Sequence, residues 1–192
     1  MYARRSALRV TFDDLPAPFA QFNGTAMWVG TPQAVTEIGG SVDPIAGAPN
    51  FTAATLQCAP LYTDWSADES VHVYHAAIIP EGTYSVQVIG EGCSTSSEID
   101  FSDPLVMSTN RWGDVVGPFD AKTESWTAPN GTVDITSDVV AMLSKFSSEP
   151  GAPVKSRVDI HPATPDQKIS ILDAFRGFGF PYEPDTPPCG GS

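Results

Sequence analysis

The sequence predicts a mainly β protein whose last third turns into a pair of short helices. Short runs of alternating apolar and polar residues recur through the first 116 residues. The gaps between them are rich in turn formers, with 16 Gly and 18 Pro in a chain of 192 residues. After Trp126 the apolar period lengthens to that of a helix, with Val139, Val140, Leu143 and Phe146 on one stripe. Only 17% of residues are charged, a composition that leans towards an extracellular β module.

The elements follow in order. Residues 6–12 alternate Leu8, Val10 and Phe12 against Ala7, Arg9 and Thr11, which predicts a half-buried strand that Asp13-Asp14-Leu15-Pro16 breaks. A second strand is expected at 26–30, then a long Gly/Pro/Ala-rich loop over 31–50. Strands resume at 52–58 and 71–79, and Pro80-Glu81-Gly82 turns the chain into another at 83–89, with Tyr84, Val86 and Val88 on one side. Residues 103–109 and 112–116 complete six or seven strands, enough for a β-sandwich. Residues 117–125 read as a linker. A first helix is expected to be capped by Thr136 or Ser137 with Asp138 in its first turn, and Pro150-Gly151-Ala152-Pro153 stops it. A second spans 169–176 with Gly177 as its C-cap. The boundaries expected are 1–117 for the β module, 118–125 for the linker, 126–180 for the helical region and 181–192 for a disordered tail.

Charge narrows the function classes. Ten Lys and Arg face 23 Asp and Glu, a formal net charge of −13, which argues against nucleic-acid binding through phosphate contacts. No apolar run reaches membrane-spanning length. Arg4 and Arg5 have no apolar stretch behind them, so the start does not read as a signal peptide; the chain reads either as intracellular or, as the favoured expectation, as the C-terminal part of a longer secreted one. Cys58 and Cys93 both fall near strand ends. A disulfide between them is expected in an oxidising compartment, with Cys189 left over, although spacing alone does not fix connectivity.

The helical region reads as a tandem repeat. Asn130 and Gly131, or Asp166 and Gln167, precede an apolar anchor, Val133 or Ile169, and a helix ending Leu-x-x-Phe follows. Ten residues separate Val133 from Leu143 and three separate Ile169 from Leu172, so the second copy reads as two helical turns shorter. The face of Val140, Leu143, Phe146, Leu172 and Phe175 is expected to pack the copies together, leaving Ser144 and Lys145 to meet a partner.

Asn130-Gly131-Thr132-Val133-Asp134, followed by Asp138 and an apolar helix, resembles a type I dockerin repeat. Such repeats pair two calcium loops of the EF-hand type, each followed by one helix. Calcium takes hard oxygen ligands at alternate loop positions around a glycine at the sixth. With Gly131 sixth, Asn130 is fifth and Asp134 ninth. Trp126 and Ala128 then occupy the first and third positions without side-chain oxygens, and Asp138 falls one place past the last. In the second copy Asp166 is fifth and Asp173 twelfth, Gln167 replaces the glycine, and Asp159 enters through a different loop path. The resemblance therefore implies calcium ligands among Asn130, Asp134, Asp138, Asp159, Asp166 and Asp173, and a cohesin-like partner in a setting of polysaccharide breakdown. The stretch Ile79–Val88 is similar to a turn common in fibronectin type III and Ig-like sandwiches, and Arg111–Asp114 resembles modules near the C-termini of large secreted bacterial proteins.

Catalytic readings find little support. His72 and His75 are three apart on a strand and face opposite sides. Cys93 has no histidine signature near it. Asp13 with Asp14, and Asp64 with Asp68, read as surface carboxylates in turns. Trp28, Trp65, Trp112 and Trp126 read first as packing residues and second as a glycan platform. The expectation is a non-catalytic secreted or cell-surface attachment module, with a carbohydrate-binding module or a structural spacer as the alternatives.

Overall fold

The structure, a computed structural model, describes residues 5–162, 165–177 and 189. It is mainly β. The strands are β1 (Ser6–Asp14), β2 (Ala26–Val29), β3 (Gln33–Thr36), β4 (Asn50–Gln57), β5 (Val71–Tyr74), β6 (Thr83–Gly90), β7 (Leu105–Ser108), β8 (Phe119–Asp120) and β9 (Ser125–Trp126). The helices are α1 (Val140–Phe146), α2 (Lys155–Val158) and α3 (Ile171–Arg176). Two compact units form. The first holds the described residues of 5–33 and 52–109 with Cys189, and the second holds 34–51 and the described residues of 110–177.

In the first unit β1 is the central strand. It pairs antiparallel with β2 on one side and with β6 on the other, and the order runs β4-β2-β1-β6-β7, with β5 parallel to β4. Alternation along β1 explains the position. Val10 and Phe12 are buried on one face, where Phe12 meets Tyr84 edge to face at 5.9 Å. Ala7, of opposite parity, is buried with Ile89 and Phe101 under Trp28 and Tyr62, so the sheet is covered on different faces at its two ends. Arg9 lies on that second side. Its guanidinium stacks 3.6 Å above Phe101 and binds Glu98 and Gln87.

Several expected boundaries shift. The strand expected over 71–79 stops at Tyr74, because His75 Nδ1 accepts the Ala77 N–H and Tyr84 Oη accepts the Ile79 N–H, bending the chain away from the ladder. The 31–50 loop contains β3. Residues 112–116 form no strand, and their Val115 and Val116 are buried in the second unit. The expected linker at 118–125 is instead most of a β8–β9 hairpin, closed by Phe119 against Trp126 at 5.0 Å. The tail expected to be disordered lies outside the described residues, except Cys189. That cysteine is bonded to Cys58, not left over, and Cys93 is free and exposed. The pairing joins positions 131 apart, a partnership that local strand-end spacing could not indicate.

The second unit packs Val115, Val116, Val139, Ala141, Met142, Val158, Ile160, Ile169 and Ala174 into one core, with Trp112 and Trp126 against it. Residues 34–51 are tied to it by Glu37, whose Oε2 accepts from Lys145 Nζ at 2.7 Å and from the Lys155 N–H at 2.9 Å. Lys155 Nζ donates to the Ser41 carbonyl. Burial pulls the Lys155 ammonium down to about 8, while the charge of Glu37 acts in the opposite direction.

Candidate functional site

The two loop–helix copies are built on one plan, and buried aspartates carry it. Asp138 is fully buried. Its Oδ1 accepts the N–H groups of Val115 and Val116 at 2.8 and 3.1 Å, and its Oδ2 accepts that of Asp134 at 2.8 Å. Asp173, equally buried, repeats this. Its Oδ1 accepts from Ile160 and His161 at 2.9 and 2.8 Å, and its Oδ2 from the Ser170 N–H at 2.7 Å. Asp134 caps the first helical segment through the Ser137 N–H, and Ser170 caps the second in a capping box with Asp173.

The loop entrances match as well. Asp114 accepts the N–H groups of Asn130 and Gly131, and Asp159 Oδ2 accepts that of Gln167 at 2.6 Å. Gly131 and Gln167 both hold positive φ, +83° and +63°, so the glutamine adopts the left-handed turn that glycine supplies in the first copy. Asn130 and Asp166 close the same side-chain turn, onto the N–H groups of Thr132 and Lys168, both at 2.9 Å.

This correspondence corrects the sequence alignment. Asp114, not Trp126, stands at the head of the first loop, and the added residues between Asp114 and Asn130 form the β8–β9 hairpin. The copies therefore align with a one-residue difference at the helix start, while the second helical segment, Ile171–Arg176, is six residues shorter than the first, Ile135–Phe146, close to the expected two turns. Asp138 follows its cap by four residues and Asp173 by three. The extra residue is taken up in a single π-type turn over Ile135–Val139, where the Val139 N–H reaches the Asp134 carbonyl. The recurring pair Asp114-Val115-Val116 and Asp159-Ile160-His161 was the sequence signal for this, hidden by the inserted hairpin.

The expected packing face is also corrected. Val140, Leu143, Phe146, Leu172 and Phe175 are exposed, between 37% and 51%, as is Ile171. Met142, Ala141 and Ala174 make the core instead, because the buried carboxylates fix which side of each helix faces inward. Lys145, expected to face a partner, is buried in its ion pair with Glu37.

For the metal candidates, Asn130, Asp134 and Asp138 use their oxygens on the chain's own donors. Hydrogen bonds from Ser137 and Thr136 hold the Asp134 carboxyl down at about 2. Asp166 Oδ1 accepts from Lys168, and Asp173 is engaged as described. Asp159 differs. Burial, and then the neighbouring charge of Asp173, push its carboxyl up to about 8. Its Oδ1 and the Oε1 of Gln167 are buried without a hydrogen-bond donor. Among the described residues no three His, Cys, Asp or Glu side chains converge on a metal position. The first loop thus does not fit calcium through its carboxylates, whereas the second retains two oxygens that no donor satisfies.

Among the described residues no helix is long and apolar enough to cross a membrane. No protein-family model, no curated protein and no solved structure matches the chain.

Proposed function

We propose that this protein is a non-catalytic, secreted or cell-surface interaction module. In this reading its β unit, a sandwich of the fibronectin type III or Ig-like kind, carries a dockerin-like repeat pair that docks a protein partner. The observation that carries it is the outward apolar surface of the two copies: Val140, Leu143 and Phe146 on α1, and Ile171, Leu172 and Phe175 on α3. Large apolar side chains grouped on short helices mark interaction sites more often than chance exposure does. The resemblance of the repeats points to a cohesin-like domain as the partner and to polysaccharide breakdown as the setting. The Cys58–Cys189 disulfide supports an oxidising compartment. All four tryptophans are partly buried, which favours packing over a glycan platform.

Isothermal titration of the full chain against a set of recombinant cohesin domains tests the reading. Binding should weaken at least tenfold in Leu143→Ser and Phe175→Ser variants while the melting temperature stays within a few degrees. If no cohesin binds, or if the variants bind as tightly as the parent, the docking reading fails and the repeat pair is a structural cap.

A further inference from the structure

The sheet of the first unit ends in an unprotected strand. β7 is paired on one side only, to β6, and Leu105, Val106 and Met107 are between 54% and 63% exposed. The Thr109 N–H donates to the Gly82 carbonyl, and these two residues stand opposite one another at the end of the ladder. Hydrogen-bonded pairs alternate along antiparallel strands, so Leu105 and Met107 turn their backbone groups to β6 while Val106 and Ser108 turn theirs to the free edge. The bond from the Phe12 N–H to the Thr25 carbonyl, on the far side of β1, fixes the same alternation independently. Among the described residues no hydrogen bond reaches the N–H or carbonyl of Val106 or Ser108. Soluble proteins blunt such edges with charges, prolines or bulges, and β7 has none of these between Leu105 and Ser108.

We propose that β7 pairs antiparallel with β7 of a second copy of this chain, joining the two sheets across a two-fold axis at Met107. A free row of N–H and carbonyl groups is met by another extended strand. A two-fold axis perpendicular to the sheet keeps the alternation of side chains only if one residue lies opposite its own copy. Centred on Val106, the pairing sets Ser108 against Pro104, which has no N–H, and the Ser108 carbonyl of each copy goes unpaired. Centred on Met107, Val106 faces Ser108 of the second copy, and every outward N–H group of β7 finds a carbonyl. Charge selects the same arrangement. The segment 103–111 is acidic at Asp103 and basic at Arg111, with no charge between them, so the Met107 register lays acid opposite base at both ends. A parallel arrangement would set like charges together. Through the registers of β6, Leu105 and Met107 lie on the face where Val10 and Phe12 are buried, and Met107 of the second copy extends the cover of that face. This inference uses the edge of the sheet and not the helix face on which the docking reading rests, so either can fail alone.

The test is sedimentation equilibrium of the full chain over a concentration series, in a Cys93→Ser background so that the exposed thiol cannot link copies. A reversible monomer–dimer equilibrium is expected, weak because the paired edge is short. Met107→Lys should weaken it about tenfold or more, since like charges then face each other across the axis, and Met107→Glu should do the same. Mixing the two variants should restore a dimer. Neither should move the melting temperature where the parent is monomeric, because Met107 is exposed. Met107→Cys should cross-link on mild oxidation and Leu105→Cys should not. A chain that stays monomeric at every concentration, a dimer indifferent to charge at position 107, a mass that climbs past the dimer, or cross-linking through Leu105→Cys would each overturn the proposal. If Met107→Lys does not fold, the cross-linking pattern decides.

Discussion

Replacing Asp138 by alanine removes the acceptor for three N–H groups at once: Val115, Val116 and Asp134. Two of these bonds are buried and one is partly buried, so the Val115 and Val116 N–H groups would be the ones stranded. Stranding a buried donor costs about 1–3 kcal/mol, so with two buried donors stranded Asp138→Ala should lose roughly 2–6 kcal/mol, a large share of the stability of a domain this size. Asp138→Asn keeps an oxygen for Val115 and Val116 but offers Asp134 a donor, so a loss of about 1–3 kcal/mol is expected. Urea unfolding followed by tryptophan fluorescence is the assay, because Trp112 and Trp126 pack against the same core. The experiment is run in EDTA and again in calcium. A loss under about 1 kcal/mol, far below the stranded-donor cost, would refute the argument that Asp138 closes the loop. So would a loss that appears only in calcium, because a cation would then be holding what is here assigned to backbone N–H groups.

Further outcomes follow from other positions. In EDTA the second loop should be pH-sensitive through Asp159. Its folded carboxyl lies near 8, above the ordinary value of 3.8, so its contribution is fully present below about pH 4 and is lost as pH rises towards 8. Asp159→Asn should flatten that slope in thermal melts, and an unchanged slope would remove Asp159 as its source. Cys189→Ser opens a loop of 131 residues and should lower stability by about 2–5 kcal/mol. Dithiothreitol should reproduce that loss in the parent and add little in the variant. Gly39→Ala would drive a Cβ into the Lys145 carbonyl, so a loss of about 1–3 kcal/mol in urea unfolding is expected.

Much of the β unit was legible because alternation is a local signal. The strands at the start of the chain, at Ala26–Val29 and at Thr83–Gly90 follow from apolar residues two apart. The same signal misled at 112–116. There Val115 and Val116 are buried not as ladder residues but because their N–H groups are held by Asp138, more than twenty positions away. Alternation also could not show that Ala7 and Ile89 are covered on the face opposite Val10 and Phe12.

The repeat itself was visible in the sequence, in the polar pairs before Val133 and Ile169 and in the caps that start each helix. Its alignment was not. The Leu-x-x-Phe ends point to one register, but the equivalent atoms are the carboxylates of Asp138 and Asp173, and the π-type turn over Ile135–Val139 absorbs the one-residue difference between them.

Local composition and period thus determined the class of each segment, mainly β and then loop–helix, because those depend on neighbours two to four residues apart. Tertiary structure alone decided the rest. It set Asp114 rather than Trp126 at the head of the first loop, joined Cys58 to Cys189, turned Leu143 and Phe175 outward, and left the oxygens of Asp159 and Gln167 without donors. Each of those outcomes depends on which backbone N–H group, thiol or core surface another segment brings within a few ångströms. Sequence separation carries no record of that proximity.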